Sequence, residues 1–451
     1  MAATGVQDMR YKAISIKTEL PGPNAKKLIE QDYQFVSHSY TRDYAMVAKR
    51  GDGVFVEDAD GNVFLDFSSG IAVCSTGHCH PKVVEAIKTQ AETLIHMSGT
   101  DFYYEPQIDL AREMSKIVPI EGKVMSFFGN SGAEAIEAAI KIARNKRRRP
   151  RMMAFIGAFH GRTMGALSLN GSKIRHHENF HPLLPGVIHA PYAYCKRCPY
   201  GAKYPGCNLE CVDFIKKTLF TKMVSPEDLS CIVMEAVQGE GGYVVPPVEF
   251  MKEMRKLTKE HGIVMVIDEV QSGMGRTGKM FAIEHFNIKP DVIAIAKGIA
   301  SGLPLSITCA NSETMDWKPG AHASTFGGNP VACAAALATI DLLKKEILKN
   351  VKTVGAHLKA KLESIAEKYD FIGDVRGLGL MLGMEIVDGK KSFNPNAELR
   401  DKVIHKAFEK GVLLLGCGPN TLRFAPPLTI TKEHADMMCD VLVKVFDSVK
   451  K

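Results

Sequence analysis

Hydrophobic positions along this chain fall into short unbroken runs, each ending abruptly at a polar residue. Ile263-Val-Met-Val-Ile267 runs into Asp268, and Val292-Ile-Ala-Ile-Ala296 runs into Lys297. Continuous β-branched and aliphatic runs of this length predict strands buried on both faces, as in a parallel sheet. A buried strand excludes charge until it emerges, so Asp268 and Lys297 are expected where two strands leave the sheet. Phe127-Phe128, Ala154-Phe-Ile156 and Ile232-Val-Met-Glu235 read the same way, each leading into a glycine turn.

Elsewhere the period changes. Helical patterns begin near Pro81 and near Ala133, and Asn329-Pro330 opens an alanine-rich one. From about Val351 amphipathic helices alternate with short strands, which predicts a smaller domain. Gly53 to Asp66 reads as a hairpin turning at Asp60-Gly61-Asn62. Residues up to about Tyr44 are polar and broken by Pro21-Gly22-Pro23, an arm expected to pack on something larger. The expected division is 1–59 (arm and part of a small domain), 60–335 (large α/β domain) and 336–451 (the rest of the small α+β domain).

Composition narrows the class. The 451 residues are 45% hydrophobic and 24% charged, a globular balance with enough chain for a large core. A net charge of +7 is modest and hints at anionic ligands. The densest basic run, Lys146 to Arg149 with Arg151, follows a helical pattern and suits a helix C-terminus. No aromatic residues interleave it, so no nucleic-acid surface is expected. The first twenty residues carry Asp8 and Glu19 without an apolar core, and no apolar run is long enough to span a bilayer. A cytoplasmic protein without membrane or nucleic-acid partners is the expectation.

An acid and an amine delivered by separate strands to the carboxyl edge of a sheet, where open α/β sheets bind ligands, suit one cofactor well. Pyridoxal 5'-phosphate needs a lysine to condense with its aldehyde and a carboxylate to keep its ring nitrogen protonated. The same pair also suits an ion pair at the rim of an ordinary α/β sheet. The surrounding residues extend the pattern: Asp268-Glu-Val270-Gln271-Ser-Gly, Gly275-Arg-Thr-Gly278, and Ala296-Lys297-Gly298. Together they closely resemble the class III (ω-amino acid) aminotransferases of the type I pyridoxal-phosphate fold, above all those acting on 4-aminobutyrate.

The resemblance implies a mainly parallel seven-stranded sheet. It makes Lys297 and Asp268 the catalytic pair, with Val270 on one ring face, Phe159 stacked on the other, and Gln271 on the phenolic oxygen. Asn130-Ser-Gly132-Ala133 starts a helix, whose free amides suit a phosphate. By resemblance the amides of Gly132 and Ala133 hold it, and Thr325 reaches the phosphate of a neighbouring subunit, which implies a homodimer or dimer of dimers. Arg162, in Phe159-His160-Gly161-Arg162-Thr163, reaches a substrate carboxylate through its planar fork. Arg423 takes a second carboxylate and Glu240 partners it. Ala236 stands where the family has proline, away from any reacting group. Ile71 stands in the substrate pocket where relatives acting on ornithine tend to carry tyrosine, and so leans toward 4-aminobutyrate.

Two histidine and cysteine clusters raise the question of metal. His78-Cys79-His80 cannot easily converge on one ion and reads as the loop before the Pro81 helix. Cys195-x-x-Cys198 and Cys207-x-x-x-Cys211 have spacings that suit zinc or an iron–sulfur cluster, but also four reduced thiols or a disulfide. Some animal 4-aminobutyrate aminotransferases share the first pair and hold an iron–sulfur cluster between subunits. No metal ligand is assigned.

The expected reaction moves the ω-amino group of an amino acid, 4-aminobutyrate first, to 2-oxoglutarate. The alternatives are a racemase of the same family, a transaminase of ornithine, lysine or β-alanine, and a binding-only descendant. Intact Asp268 and Lys297 argue against the last.

Overall fold

The computed structural model describes residues 10–450, so Asp8 lies outside the described residues. Strands β1 (Ala48–Asp52), β2 (Phe55–Asp58) and β3 (Val63–Asp66) form the antiparallel start of the first sheet. The β2–β3 turn falls at Asp60-Gly61-Asn62. There the Asp58 carboxylate accepts from the amides of Asp60 and Asn62 at 2.9 and 2.8 Å.

Seven strands then build the central sheet: β4 (Val124–Gly129), β5 (Arg151–Phe155), β6 (Val187–Ala190), β7 (Leu229–Glu235), β8 (Val264–Asp268), β9 (Val292–Ile295) and β10 (Ser306–Asn311). Their order is β4-β10-β9-β8-β7-β5-β6. All pairings are parallel except the two made by β10. Strands β7, β8 and β9 are buried along their whole length, which is why their sequences carry no polar alternation. Parallel neighbours need crossovers, and the helix Val248–Glu260 supplies the one from β7 to β8.

The C-terminal third adds β11 (Ile372–Leu378), β12 (Met381–Ile386), β13 (Val412–Leu413), β14 (Leu415–Cys417) and β15 (Thr421–Phe424). Strands β11, β12, β15 and β14 form a third sheet, while β13 pairs in parallel with β3. The boundary expected at residue 59 falls in the turn between the paired strands β2 and β3, and β3 also bonds the C-terminal β13. The N-terminal arm carries a helix, Pro23–Phe35, where the sequence predicted only a polar arm. Asp60, across the chain, accepts from the free amides of Asn24 and Ala25 at 2.8 Å and anchors its first turn.

Two buried charges tie the sheets together. Glu269 accepts from Ser272 Oγ and from the amides of Ala282 and Ile283, folding the segment after β8 onto itself. Arg276 is fully buried and donates to the carbonyls of Leu380 and Pro426, joining that segment to the C-terminal third. At the end of the helix Gly132–Arg147, Arg144 donates to Pro150 O and Lys146 pairs with Asp316, and just beyond it Arg149 donates to Leu229 O and His261 O. Among the described residues no helix is long and apolar enough to cross a membrane.

Candidate active site

The carboxyl ends of β7 and β8 set two acids side by side, because Glu235 and Asp268 are register partners. Asp268 Oδ2 bonds His160 Nδ1 at 2.7 Å, and Asp268 Oδ1 accepts from the Val270 amide at 2.9 Å. Both bonds fix the carboxylate's orientation inside a site where Asp268 and His160 are buried. Burial opposes a charge on His160, but Asp268 outweighs it and raises the imidazole's affinity for a proton. Glu235 accepts from the Gly239 amide at 2.9 Å and the Phe159 amide at 3.3 Å. Its affinity for a proton is raised, first by burial and then by Asp268, against His160.

Lys297 follows β9 with φ +45°, a left-handed backbone that a non-glycine residue adopts only at a cost. Its amine makes no hydrogen bond or ion pair among the described residues. Burial lowers its proton affinity and Arg423 adds to this, while Asp268 opposes.

At the start of the helix Gly132–Arg147, Ser131 caps the amide of Glu134, and the amides of Gly132 and Ala133 meet no acceptor. A side chain at Gly132 would come within 2.7 Å of Val270 Cγ1, so only glycine lets this helix start lie against Val270. The Phe159 ring has the Arg162 guanidinium 5.4 Å from its centroid and His176 edge-on at 5.3 Å. Arg162 is exposed and has no carboxylate partner among the described residues. Gln271 Oε1 accepts from the Tyr243 hydroxyl at 2.9 Å.

Glu240 sits in the tight turn bridged by Gln238 and Val244. Its Oε2 is 3.5 Å from Arg423 Nη1, and its Oε1 is 2.5 Å from Lys173 Nζ. Ile71 lies in a run of left-handed residues, Ser69 to Ala72, with φ of 44°, 63°, 68° and 60°. Such a turn strains a β-branched residue, and the Asp66 carboxylate holds it by accepting from the amides of Ser68 and Ser69. Ile71 is 47% exposed, and Thr325 is exposed and makes no hydrogen bond among the described residues.

His160, Glu235, Tyr243 and Lys173 had no role in the sequence reading. Glu235 was legible, since it ends an apolar run just as Asp268 does. His160 follows Phe159 in sequence, and nothing local to it marks Asp268, 108 positions away, as its partner. Nothing in the pattern around Lys173 or Tyr243 points to this pocket.

The four loop cysteines, Cys195, Cys198, Cys207 and Cys211, are free thiols lining one small cavity of about 20 Å³. Among the described residues no group of three or more His, Cys, Asp or Glu stands in a metal-holding arrangement. His78 instead pairs with Asp66 at 2.8 Å, and His80 caps the Pro81–Thr93 helix.

Comparison with known proteins agrees with this geometry. The family model for aminotransferase class-III matches residues 36–446. An alanine/serine racemase of Pyrococcus horikoshii is 41% identical over 442 residues, covering 96% of this chain and 92% of the relative. The 4-aminobutyrate aminotransferase of Escherichia coli is 38% identical over 435 residues, covering 94% of this chain and 99% of the relative. Among solved structures, a PLP-bound amine transaminase from an uncultivated Pseudomonas species superposes with a TM-score of 0.84 at 29% identity, covering 92% of this chain and 98% of that one. The residues fit the cofactor: an unpaired buried amine, a carboxylate fixed by two bonds, and free amides at a helix start. The chain therefore belongs to the class-III aminotransferases, a family of amino-acid and 2-oxo-acid enzymes, and its cofactor is pyridoxal 5'-phosphate.

Proposed function

We propose that the protein transfers the ω-amino group of 4-aminobutyrate to 2-oxoglutarate. The observation that carries this reading is the unequal state of two arginines. Arg162 is exposed and has no ion-pair partner among the described residues, whereas buried Arg423 faces the Glu240 carboxylate. 4-Aminobutyrate has one carboxylate, far from its amine, and Arg162 takes it. Glutamate has a second, beside its amine, and this one needs Arg423. An uncovered guanidinium beside the apolar end of an ω-amino acid would be poorly solvated, so Glu240 covers it in one half-reaction and yields it in the other.

When bound, pyridoxal phosphate would supply an aldehyde for the substrate's amino group and a protonated ring to act as an electron sink. Lys297 holds the cofactor between turnovers, and its amine then takes the proton from the amine-bearing carbon of the substrate. Asp268, oriented by His160 and the Val270 amide, keeps the ring nitrogen charged. Val270 and Phe159 would confine the ring, Gln271 would bond its phenolic oxygen, and the amides of Gly132 and Ala133 would hold the phosphate. Thr325 completes the phosphate site of a second copy, and Ile71 shapes the pocket for an unbranched substrate. The division into a 60–335 cofactor domain and a small domain built from 1–59 and 336–451 belongs to this reading, as does a cytoplasmic location.

Single-turnover rates of both half-reactions test it. Glu240→Ala is expected to slow the 4-aminobutyrate half and spare the glutamate half, and Arg423→Ala to do the reverse. Equal slowing of both halves by Glu240→Ala would reduce Glu240 to a structural partner.

The racemase relative favours a second reading, in which Lys297 removes and returns the α-proton of one amino acid without an oxo acid. In that case Arg423 serves every substrate and Glu240 has no cover to provide.

A further inference from the structure

Glu240 stands between two cations and favours the one that the sequence did not single out. Its Oε1 is 2.5 Å from Lys173 Nζ, while its Oε2 reaches Arg423 Nη1 only at 3.5 Å, the outer limit of a hydrogen bond. The Arg423 side chain is 10% exposed, yet its Nε is buried with no acceptor. A guanidinium with an unpaired buried donor and one long contact is ready to receive a carboxylate through its fork.

The backbones on both sides of the Lys173–Glu240 pair are pinned. The Glu240 carbonyl accepts from the Gly418 amide at 2.7 Å, and the preceding Gly239 amide donates to Glu235. Arg376 donates twice to Gly242 O, at 3.0 and 2.7 Å. On the other side, Gly171 and Ala158 are bonded backbone to backbone, and Asn170 holds the His160 amide and the Gly161 carbonyl. The carboxylate of Glu240 therefore changes partner by rotating its side chain, without movement of either loop. Among the described residues Lys173 has no other acidic partner to compete for its amine.

We propose that Lys173 is a specificity-determining positioning residue, which draws the Glu240 carboxylate off Arg423 so that Arg423 is free for a substrate's α-carboxylate. This rests on the two-carboxylate reading above. Without Lys173, Glu240 closes on Arg423 with both oxygens, and an α-carboxylate must displace it. An ω-amino acid, which needs Arg423 covered, loses nothing.

The test uses the holoenzyme and follows each half-reaction in single turnovers over a range of substrate concentrations. Lys173→Met is expected to raise the half-saturating concentration of glutamate about tenfold, with the limiting rate little changed. The half-saturating concentration of 4-aminobutyrate should stay level or fall. Lys173→Arg should restore glutamate saturation, because it returns a cation to Glu240. Lys173→Gln, which keeps a polar side chain in the loop, repeats the Met arm should that variant lose its cofactor spectrum. An unchanged glutamate half-saturation, an equal rise for both substrates, or no recovery with arginine each overturns the proposal. Should wild type leave 4-aminobutyrate unreacted, the function reading falls, and the glutamate arm with its arginine rescue still decides the role of Lys173.

Discussion

Asp268 and His160 share a buried hydrogen bond of 2.7 Å between Oδ2 and Nδ1. The bond joins the end of β8 to the loop after β5, and it leaves His160 Nε2 without a partner. A carboxylate held this way cannot rotate out of the pocket, which suits a group whose task is to hold one charge in place. Asp268→Asn should keep the cofactor but lose turnover by about 100-fold or more, because an amide cannot hold a protonated ring nitrogen. Near-normal turnover, with cofactor bound, would contradict the role.

The Lys297 amine is buried within reach of the Asp268 charge and makes no bond of its own among the described residues. Borohydride reduction of the yellow holoenzyme should fix the cofactor to Lys297, as read by peptide mapping. Label on another lysine would end the assignment. Lys297→Ala should lose at least about 1,000-fold in turnover, since both the attachment point and the proton carrier are gone.

His176 lies buried between Phe159 and Ser172, and Arg162, Lys173, Arg175 and Glu240 face it. Burial first, then the charge of Arg162, pushes its pKa down to about 4 from an ordinary value of 6.5. The folded state thus keeps it neutral where the unfolded chain takes up a proton. Its contribution is fully present above about pH 6.5 and is lost as pH falls toward 4. Denaturant unfolding of wild type and His176→Gln should therefore diverge on acidification. Wild type should lose more stability than the variant below pH 6.5, by no more than about 1.4 kcal/mol per pH unit for one proton. Parallel curves would show that His176 titrates alike in both states.

Thr325 is exposed and makes no hydrogen bond among the described residues; on the proposed reading it completes a neighbour's phosphate site. Sedimentation of active holoenzyme should give a dimer or larger. Thr325→Val should weaken cofactor retention on dialysis about tenfold without changing assembly. An active monomer would refute the shared site.

The sheet was legible because its strands are buried on both faces: β7, β8 and β9 carry unbroken apolar runs, and their first charges mark the carboxyl edge. Asp268 and Lys297 stood out for that reason. Strand order and the antiparallel β10 were not visible in periodicity, since Ser306 to Asn311 mixes polar and apolar residues inside a buried strand. The parallel pairing of β3 with β13 joins residues more than three hundred positions apart and has no local signal. The same limit hid Lys173, whose partner Glu240 lies 67 positions away. Cysteine spacing was equally silent: the four thiols do line one cavity, but spacing does not say what they bind.

The central claim is the transfer of an ω-amino group, and the products test it most directly. Holoenzyme given 4-aminobutyrate and 2-oxoglutarate should release the ω-aldehyde and glutamate in equal amounts over many turnovers; without the oxo acid it should form no glutamate and stop at about one aldehyde per active site. Absence of both products, together with inversion of the α-carbon of an L-amino acid without any oxo acid, would contradict the account and establish the racemase reading instead.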